Sequence, residues 1–227
     1  MALGHPRVHL RATTSTNDRA RDLAAAGAPH GTLVTAGAQS AGRGRQGRSW
    51  SAPPGTALLV SLVLREPPPL LPLAAAVAVA EVCGDAAKIK WPNDVLIEGR
   101  KVAGILAEGR PQERWAVLGI GLNVALRVED LPPELHATAT TLDRAPTALE
   151  PTLHELLTAL DRALVLDSAA LLDAYRARDA LRGREITWNG GAGVADGIDG
   201  TGRLVVALPE GGHTALDAGE VHLGLSG

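Results

Sequence analysis

The run TALLVSLVL at residues 56–64, set between SAPPG and REPPP, constrains the fold more than any other stretch of this chain. It is nearly continuous in apolar residues and of strand length, so it reads as a β-strand buried on both faces. The proline clusters close it, because proline gives no backbone donor to a sheet ladder. A strand covered on both sides needs partners above and below. With 227 residues, the chain can supply them in one α/β domain, alone or with a small appendage.

The other elements follow from local punctuation. TTSTNDRARDLAAAG reads as a helix, with Ser15 as cap, Asp18 reaching back as a capping box and Gly27 as the stop. GTLVTAGAQ, from Gly31, has the length and β-branching of a strand. Residues 72–83 open on Pro72 and continue in Ala and Val, the pattern of a buried helix with proline in its first turn. AKIKW is a short strand and PND a turn. VLIEGRKVAGILAE is a hairpin turning at EGRK, where Gly99 can take positive φ. WAVLGIGLNV is a further strand with glycines where a side chain would obstruct something. Residues 131–150 read as a loop with a short helix start. Leucines 153, 156, 157, 160, 164, 171 and 172 with Tyr175 then keep a helical spacing as far as about Leu181, as two helices parted near Asp167 and Ser168. From Arg182 the text changes to short strands with Gly-rich turns. The expectation is a main domain over 1–181 and a small β-barrel over 182–227 that docks on it.

Charge and cysteine narrow the function. Twenty-two basic against twenty-five acidic residues give a net charge of -3, which does not favour polyanions overall. The single cysteine, Cys83, excludes an internal disulfide and a cysteine-only metal site, and sits in an apolar run as packing. MALGHPRVHL lacks the apolar core of a signal peptide, and the longest apolar run, residues 70–83, contains Glu81 and falls short of the roughly 20 residues that cross a bilayer. These features are those of a soluble cytoplasmic protein.

Three motifs carry chemistry. GRGRQGRSW at 42–50 reads as a solvated turn, as an anion site of close-approaching amides and bidentate guanidinium groups, or, on thinner support in a net-acidic chain, as a short nucleic-acid arm. It is no P-loop, and although Gly42, Gly44 and Gly47 fit GxGxxG, the following SWSAPPG is no helix. In KWPND, residues 90–94, Lys90 is either an exposed strand-end lysine or a charge aimed at a carboxylate or phosphate. In GIGLNV, residues 119–124, the glycines fit either a bulged strand or close approach to a flat ligand, and Asn123 could hydrogen-bond a phosphate or a metal-bound water.

The order of STN at 15–17, QSAGRGRQGR at 39–48, KWPND at 90–94, KVAGIL at 101–106 and GIGLNV at 119–124 closely resembles the biotin protein ligase family, also called biotin-[acetyl-CoA-carboxylase] ligase, over essentially the whole chain. The resemblance implies an α+β fold: a mixed-sheet catalytic domain related to class II aminoacyl-tRNA synthetases, plus a C-terminal SH3-like barrel. It implies an enzyme that joins biotin to ATP as biotinyl-5'-AMP, with Mg²⁺ accompanying ATP, and passes biotin to a lysine of a biotin carboxyl carrier protein.

By the same resemblance Ser15, Thr16, Asn17 and Gln39 meet the ureido end of biotin, and Arg43, Gly44 and Arg45 close over its carboxylate and the adenylate. Arg48 reaches phosphates, Trp50 covers the adenylate, and Lys90 holds carboxylate and α-phosphate together. Arg45 and Lys90 are the catalytic pair, while Lys101, Gly104 and Asn123 line the ligand and nucleotide site. About fourteen residues precede STN, too few for the DNA-binding domain some members carry, so no DNA binding is expected; a homodimer through the catalytic sheet is possible for such a chain. Gln46 stands where another basic residue is common. A lipoate or octanoyl ligase-type acyltransferase is the neighbouring alternative, and a non-catalytic nucleic-acid-binding module the distant one.

Overall fold

A computed structural model of the chain describes residues 3–217 and 221–223. The elements run β1 (Arg7–Leu10), α1 (Thr16–Ala25), β2 (Leu33–Ala36), β3 (Ala57–Arg65), α2 (Leu71–Val82), β4 (Ala87–Lys90), β5 (Asp94–Ile97), β6 (Arg100–Arg110) and β7 (Trp115–Asn123). They continue with α3 (Leu149–Ala163), α4 (Ser168–Arg176), β8 (Glu185–Trp188), β9 (Gly191–Ile198), β10 (Leu204–Ala207), β11 (His213–Leu216) and β12 (Val221–Leu223). β1 to β7 form one sheet in the order β1-β2-β3-β7-β6-β5-β4. It is mixed: β1 lies parallel to β2 and the other pairs are antiparallel.

The apolar run is β3, central in this sheet and buried along residues 57–64. Alternation along the pleat divides its side chains between two layers. Leu58, Val60, Leu62 and Leu64 enter the large core with α2, α3 and α4, whereas Val63 joins Val34, Val117 and Trp115 beneath Ala20 and Ala24 of α1. α2 can lie flat on the sheet because its buried residues are mostly Ala and Val, and Pro72 falls in its first turn, where no N–H is missed.

The five strands from Glu185 onward make a second, antiparallel sheet in the order β11-β10-β9-β8-β12. Its Ile186, Ala195, Leu204 and Val206 belong to the same buried cluster as α2. Two seams join the sheets. The Trp91 indole donates to the Gly202 carbonyl at 3.0 Å. Residues 178–180 add a parallel bridge to β4, with Ile89 N donating to Arg178 O at 2.7 Å and Ala180 N to Ile89 O at 2.9 Å.

Three expectations are corrected. β1 has no counterpart in the sequence reading, because four mostly exposed residues carry no periodic signal. The second leucine-rich helix stops at Arg176 rather than near Leu181, since the chain turns to pair with β4. The capping box is not made: the Ser15 side chain caps nothing, Asp18 pairs with Arg21 and Arg43 instead, and Gln39 Oε1 accepts the Thr16 N–H at 2.7 Å.

Candidate active site

The residues singled out in the sequence, Asn123 excepted, converge on one cavity. The start of α1 contributes Ser15, Thr16 and Asn17, the segment after β2 Gln39, and residues 43–50 a wall. Lys90 through Asp94, Lys101 and Gly104 close the far side, and Gly119 to Gly121 of β7 the floor. Asn123 stands apart. It is buried at the end of β7, outside the cavity lining, and its Nδ2 donates to the Thr140 carbonyl at 2.8 Å, so it ties down the segment after β7.

At the α1 end the lining is neutral and polar. Ser15, Thr16 and Asn17 are buried, an unusual sequence of three polar residues to exclude from water. Thr16 and Asn17 are satisfied by their neighbours. The fully buried Ser61 hydroxyl lies 2.8 Å from Thr16 Oγ1 and 2.6 Å from Asn17 Oδ1, and Thr16 Oγ1 donates to Gln39 Oε1 at 3.0 Å. Ser61 was missed in the sequence; its signal was a hydroxyl inside the otherwise apolar β3 run. Gly119 makes the arrangement possible, because a Cβ there would lie 2.1 Å from Asn17 Oδ1.

Residues 42–50 form a small hairpin. Arg43 and Ser49 make an antiparallel bridge, Gly44 N donates to Arg48 O at 2.7 Å and Trp50 N to Gly42 O at 2.9 Å. Gln46 and Gly47 at its tip take φ 55° and 75°, the pair of positive values of a type I′ turn. Trp50 folds back over the floor, and a Cβ on Gly121 would lie 2.4 Å from its Cε2. The buried indole N–H of Trp50 has no partner among the described residues.

The hairpin arginines differ in employment. Arg43 Nη2 is 2.5 Å from Asp18 Oδ1 and 3.3 Å from Glu108 Oε2, so carboxylates of this chain already claim it. Arg45 has a neutral hydrogen-bond partner, Asn93 Oδ1, at 3.3 Å. Burial lowers the pKa of its guanidinium, the Asp94 charge opposes this, and Arg48 adds to it. A half-buried cation with that surrounding favours the arrival of an anion. Asn93 is itself held by β6: its Nδ2 donates to the Ile105 carbonyl at 3.1 Å and its carbonyl accepts from Ile105 N at 2.9 Å.

Lys101 brings a further ammonium. Its Nζ lies 2.8 Å from Asp94 Oδ1, an ion pair outside hydrogen-bond geometry, and 5.7 Å from the Trp50 ring centroid. Asp94 is the one carboxylate among the lining residues, and the described residues hold no cluster of three or more His, Cys, Asp or Glu able to seat a metal ion. Asp18, Asn93, Asp94 and Glu108 are not singled out by the sequence, since an acid or an amide is ordinary in isolation and only the fold sets it beside a cation.

Comparison with known proteins agrees with this geometry. Residues 10–124 match the model of the biotin/lipoate A/B protein ligase family. The chain is 36% identical over 241 residues to the biotin--[acetyl-CoA-carboxylase] ligase of Paracoccus denitrificans, covering 95% of this chain and 99% of that one. It is 43% identical over 155 residues to the bifunctional ligase/repressor BirA of Bacillus subtilis, covering 63% of this chain and 48% of that protein, and so spans about half of that relative's length. The structure of the Aquifex aeolicus biotin protein ligase in complex with biotin and ATP superposes with a TM-score of 0.82 at 26% identity, over 97% of this chain and 99% of that one. With a family model spanning half the chain, a relative matched end to end and a shared fold around a cavity lined by the STN, GRGR and KWPND motifs, the chain belongs to the biotin/lipoate A/B protein ligase family.

Proposed function

We propose that this chain adenylates biotin and transfers the biotinyl group to a lysine of a biotin carboxyl carrier protein. The observation that carries the reading is Arg45, a half-buried cation with a neutral partner, in a cavity that also holds a preordered neutral polar cluster. A molecule with a neutral urea and a carboxylate has a use for both. The names of the matched proteins, biotin--[acetyl-CoA-carboxylase] ligase and biotin protein ligase with biotin and ATP, point the same way.

In this reading a carboxylate oxygen of biotin attacks the α-phosphorus of MgATP and pyrophosphate leaves. The acceptor amine then attacks the acyl carbon, AMP leaves with the bonding pair, and the amine's proton passes to solvent. Ser15, Thr16, Asn17 and Gln39 orient the urea. Lys90, Arg45 and Lys101 hold two mutually repelling anions together and offset the charge that grows at phosphorus. Trp50 offers the adenine a ring face and an indole donor, and Arg48 reaches the phosphates. With Asp94 as its single carboxylate, the cavity suits Mg²⁺ arriving on the phosphates of ATP rather than in a protein cage. We read residues 1–181 as the catalytic domain, related to class II aminoacyl-tRNA synthetases, and 182–227 as an SH3-like barrel; the strand order from β8 onward supports the division.

Biotin-dependent release of pyrophosphate, with mass spectrometry of a carrier domain, is the test. Arg45→Gly and Lys90→Ala each lower adenylate formation by about 100-fold or more, the scale of removing one donor to a charged transition state. Near wild-type release by Lys90→Ala sinks the assignment. Turnover of lipoate in place of biotin moves it to the neighbouring acyltransferase.

A further inference from the structure

Arg43 belongs to the arginine hairpin, yet its guanidinium is spent on the chain itself. Two arginines and two carboxylates form a closed ring. Asp18 Oδ1 meets both Arg43 and Arg21, while Glu108 meets Arg43 through Oε2 at 3.3 Å and Arg21 through Oε1 at 3.5 Å. The four come from α1, the hairpin and β6, so the ring pins the base of the hairpin to two rigid elements. The side chains are 27 to 37% exposed, so each pair alone is weak and the stabilisation lies in the network.

Glu108 Oε2 has a second partner. Asn17 Nδ2 donates to it at 2.8 Å, while Asn17 Oδ1 accepts from Ser61. The polar chain that begins at Gln39 and Thr16 therefore does not end at Asn17; it continues through Glu108 into Arg43. We infer that Glu108 is a positioning residue that couples the neutral end of the cavity to closure of the arginine hairpin. Asp18 and Arg21 complete its charge balance. The inference rests on the function proposed above and extends it: a ligand that fixes the Asn17 amide also fixes the carboxylate that holds Arg43. By linkage, closing the hairpin must tighten binding at Asn17 by the same factor.

Glu108→Gln separates the two roles, because a glutamine oxygen still accepts from Asn17 but leaves Arg21 and Arg43 with one carboxylate between them. Three readouts on the full chain test it. Trypsin cleavage after Arg45 and Arg48, without ligand, accelerates in the variant. Biotin affinity by calorimetry falls and biotinyl-AMP escapes faster, each by about tenfold, within the usual range of such couplings. The rate of adenylate formation at saturating biotin stays within about twofold, since Glu108 touches no reacting atom.

Arg43→Gln accelerates trypsin cleavage to the same extent, and the double variant is cleaved no faster than either single one. Asp18→Asn, at a half-buried position in the first turn of α1, serves if Glu108→Gln does not fold. Unchanged trypsin cleavage, additive effects in the double variant, or a loss confined to the saturated rate overturns the inference. Hairpin loosening in a protein whose wild type binds no biotin leaves the latch intact and removes the function instead.

Discussion

A Cβ on Gly121 would lie 2.4 Å from Cε2 and 2.8 Å from Cδ2 of Trp50, and one on Gly119 would fall on the Asn17 side chain. The sequence GIGLNV left open whether its glycines admit a flat ligand or mark a bulge. The structure gives a third use: they admit this chain's own side chains, which then shape the cavity. Gly121→Ala pushes the indole off the floor without touching the core behind β7. Under the proposed function it raises the KM for ATP about tenfold, as expected for losing an aromatic contact of about 1.4 kcal/mol, with a shifted Trp emission spectrum. An unchanged KM with an unchanged spectrum would show that the ring has room to spare. The hairpin arginines teach the same lesson. GRGR assigns both to an anion, and only the fold reveals that Asp18 and Glu108 claim Arg43 while Arg45 is left to a neutral partner.

Two turns of the same kind show where element-level reading succeeds. Glu98 and Gly99 join β5 to β6 with φ 50° and 75°, and Gln46 and Gly47 take the similar pair 55° and 75° at the hairpin tip. The first was legible because VLIEGRKVAGIL carries apolar runs on both sides of EG, so strand pairing fixes the turn. The second was hidden because GRGR and RSW offer no apolar alternation; a flexible glycine loop was the natural expectation. Its geometry comes from the Arg43–Ser49 bridge and from the packing of Trp50. Gly47 has open space around its Cα, so Gly47→Ala meets no clash and its cost is purely conformational. A residue with a Cβ at φ 75° destabilises the hairpin by about 1 kcal/mol, enough for roughly a fivefold rise in trypsin cleavage after Arg45. Cleavage at the wild-type rate would mean that the tip already opens freely.

On the scale of the molecule, both sheets and the helical layer were legible as composition changes: a doubly buried strand, leucines at helical spacing and Gly-rich short strands after Arg182. The seam between them was not, because it is built from backbone pairing of residues 178–180 with β4, which has no side-chain signature. That seam holds two orphans. Among the described residues, the fully buried Tyr175 hydroxyl has no hydrogen-bond partner, and neither has the buried Asp179 Oδ2, while Asp179 Oδ1 accepts from Leu181 N at 2.8 Å. Burial pushes the Asp179 carboxyl up, against the amides of Leu181 and Arg182 and the Arg182 charge, and it pushes the Tyr175 hydroxyl well up with Asp179 adding to it. A carboxyl whose pKa is raised on folding binds its proton more tightly in the native state. Its favourable contribution is therefore complete below the unfolded value of about 3.9 and is lost as pH rises through the folded one. Above the folded value the native protein carries a charge it would be better without. Asp179→Asn keeps the acceptor for Leu181, removes the charge and gives the orphan position a donor. Thermal melting of the two proteins from pH 4 to pH 8 tests this: the variant melts higher at the alkaline end, and the gap narrows as pH falls through the raised folded value toward the unfolded one. A gap independent of pH would assign the effect to packing and not to the buried charge at the seam.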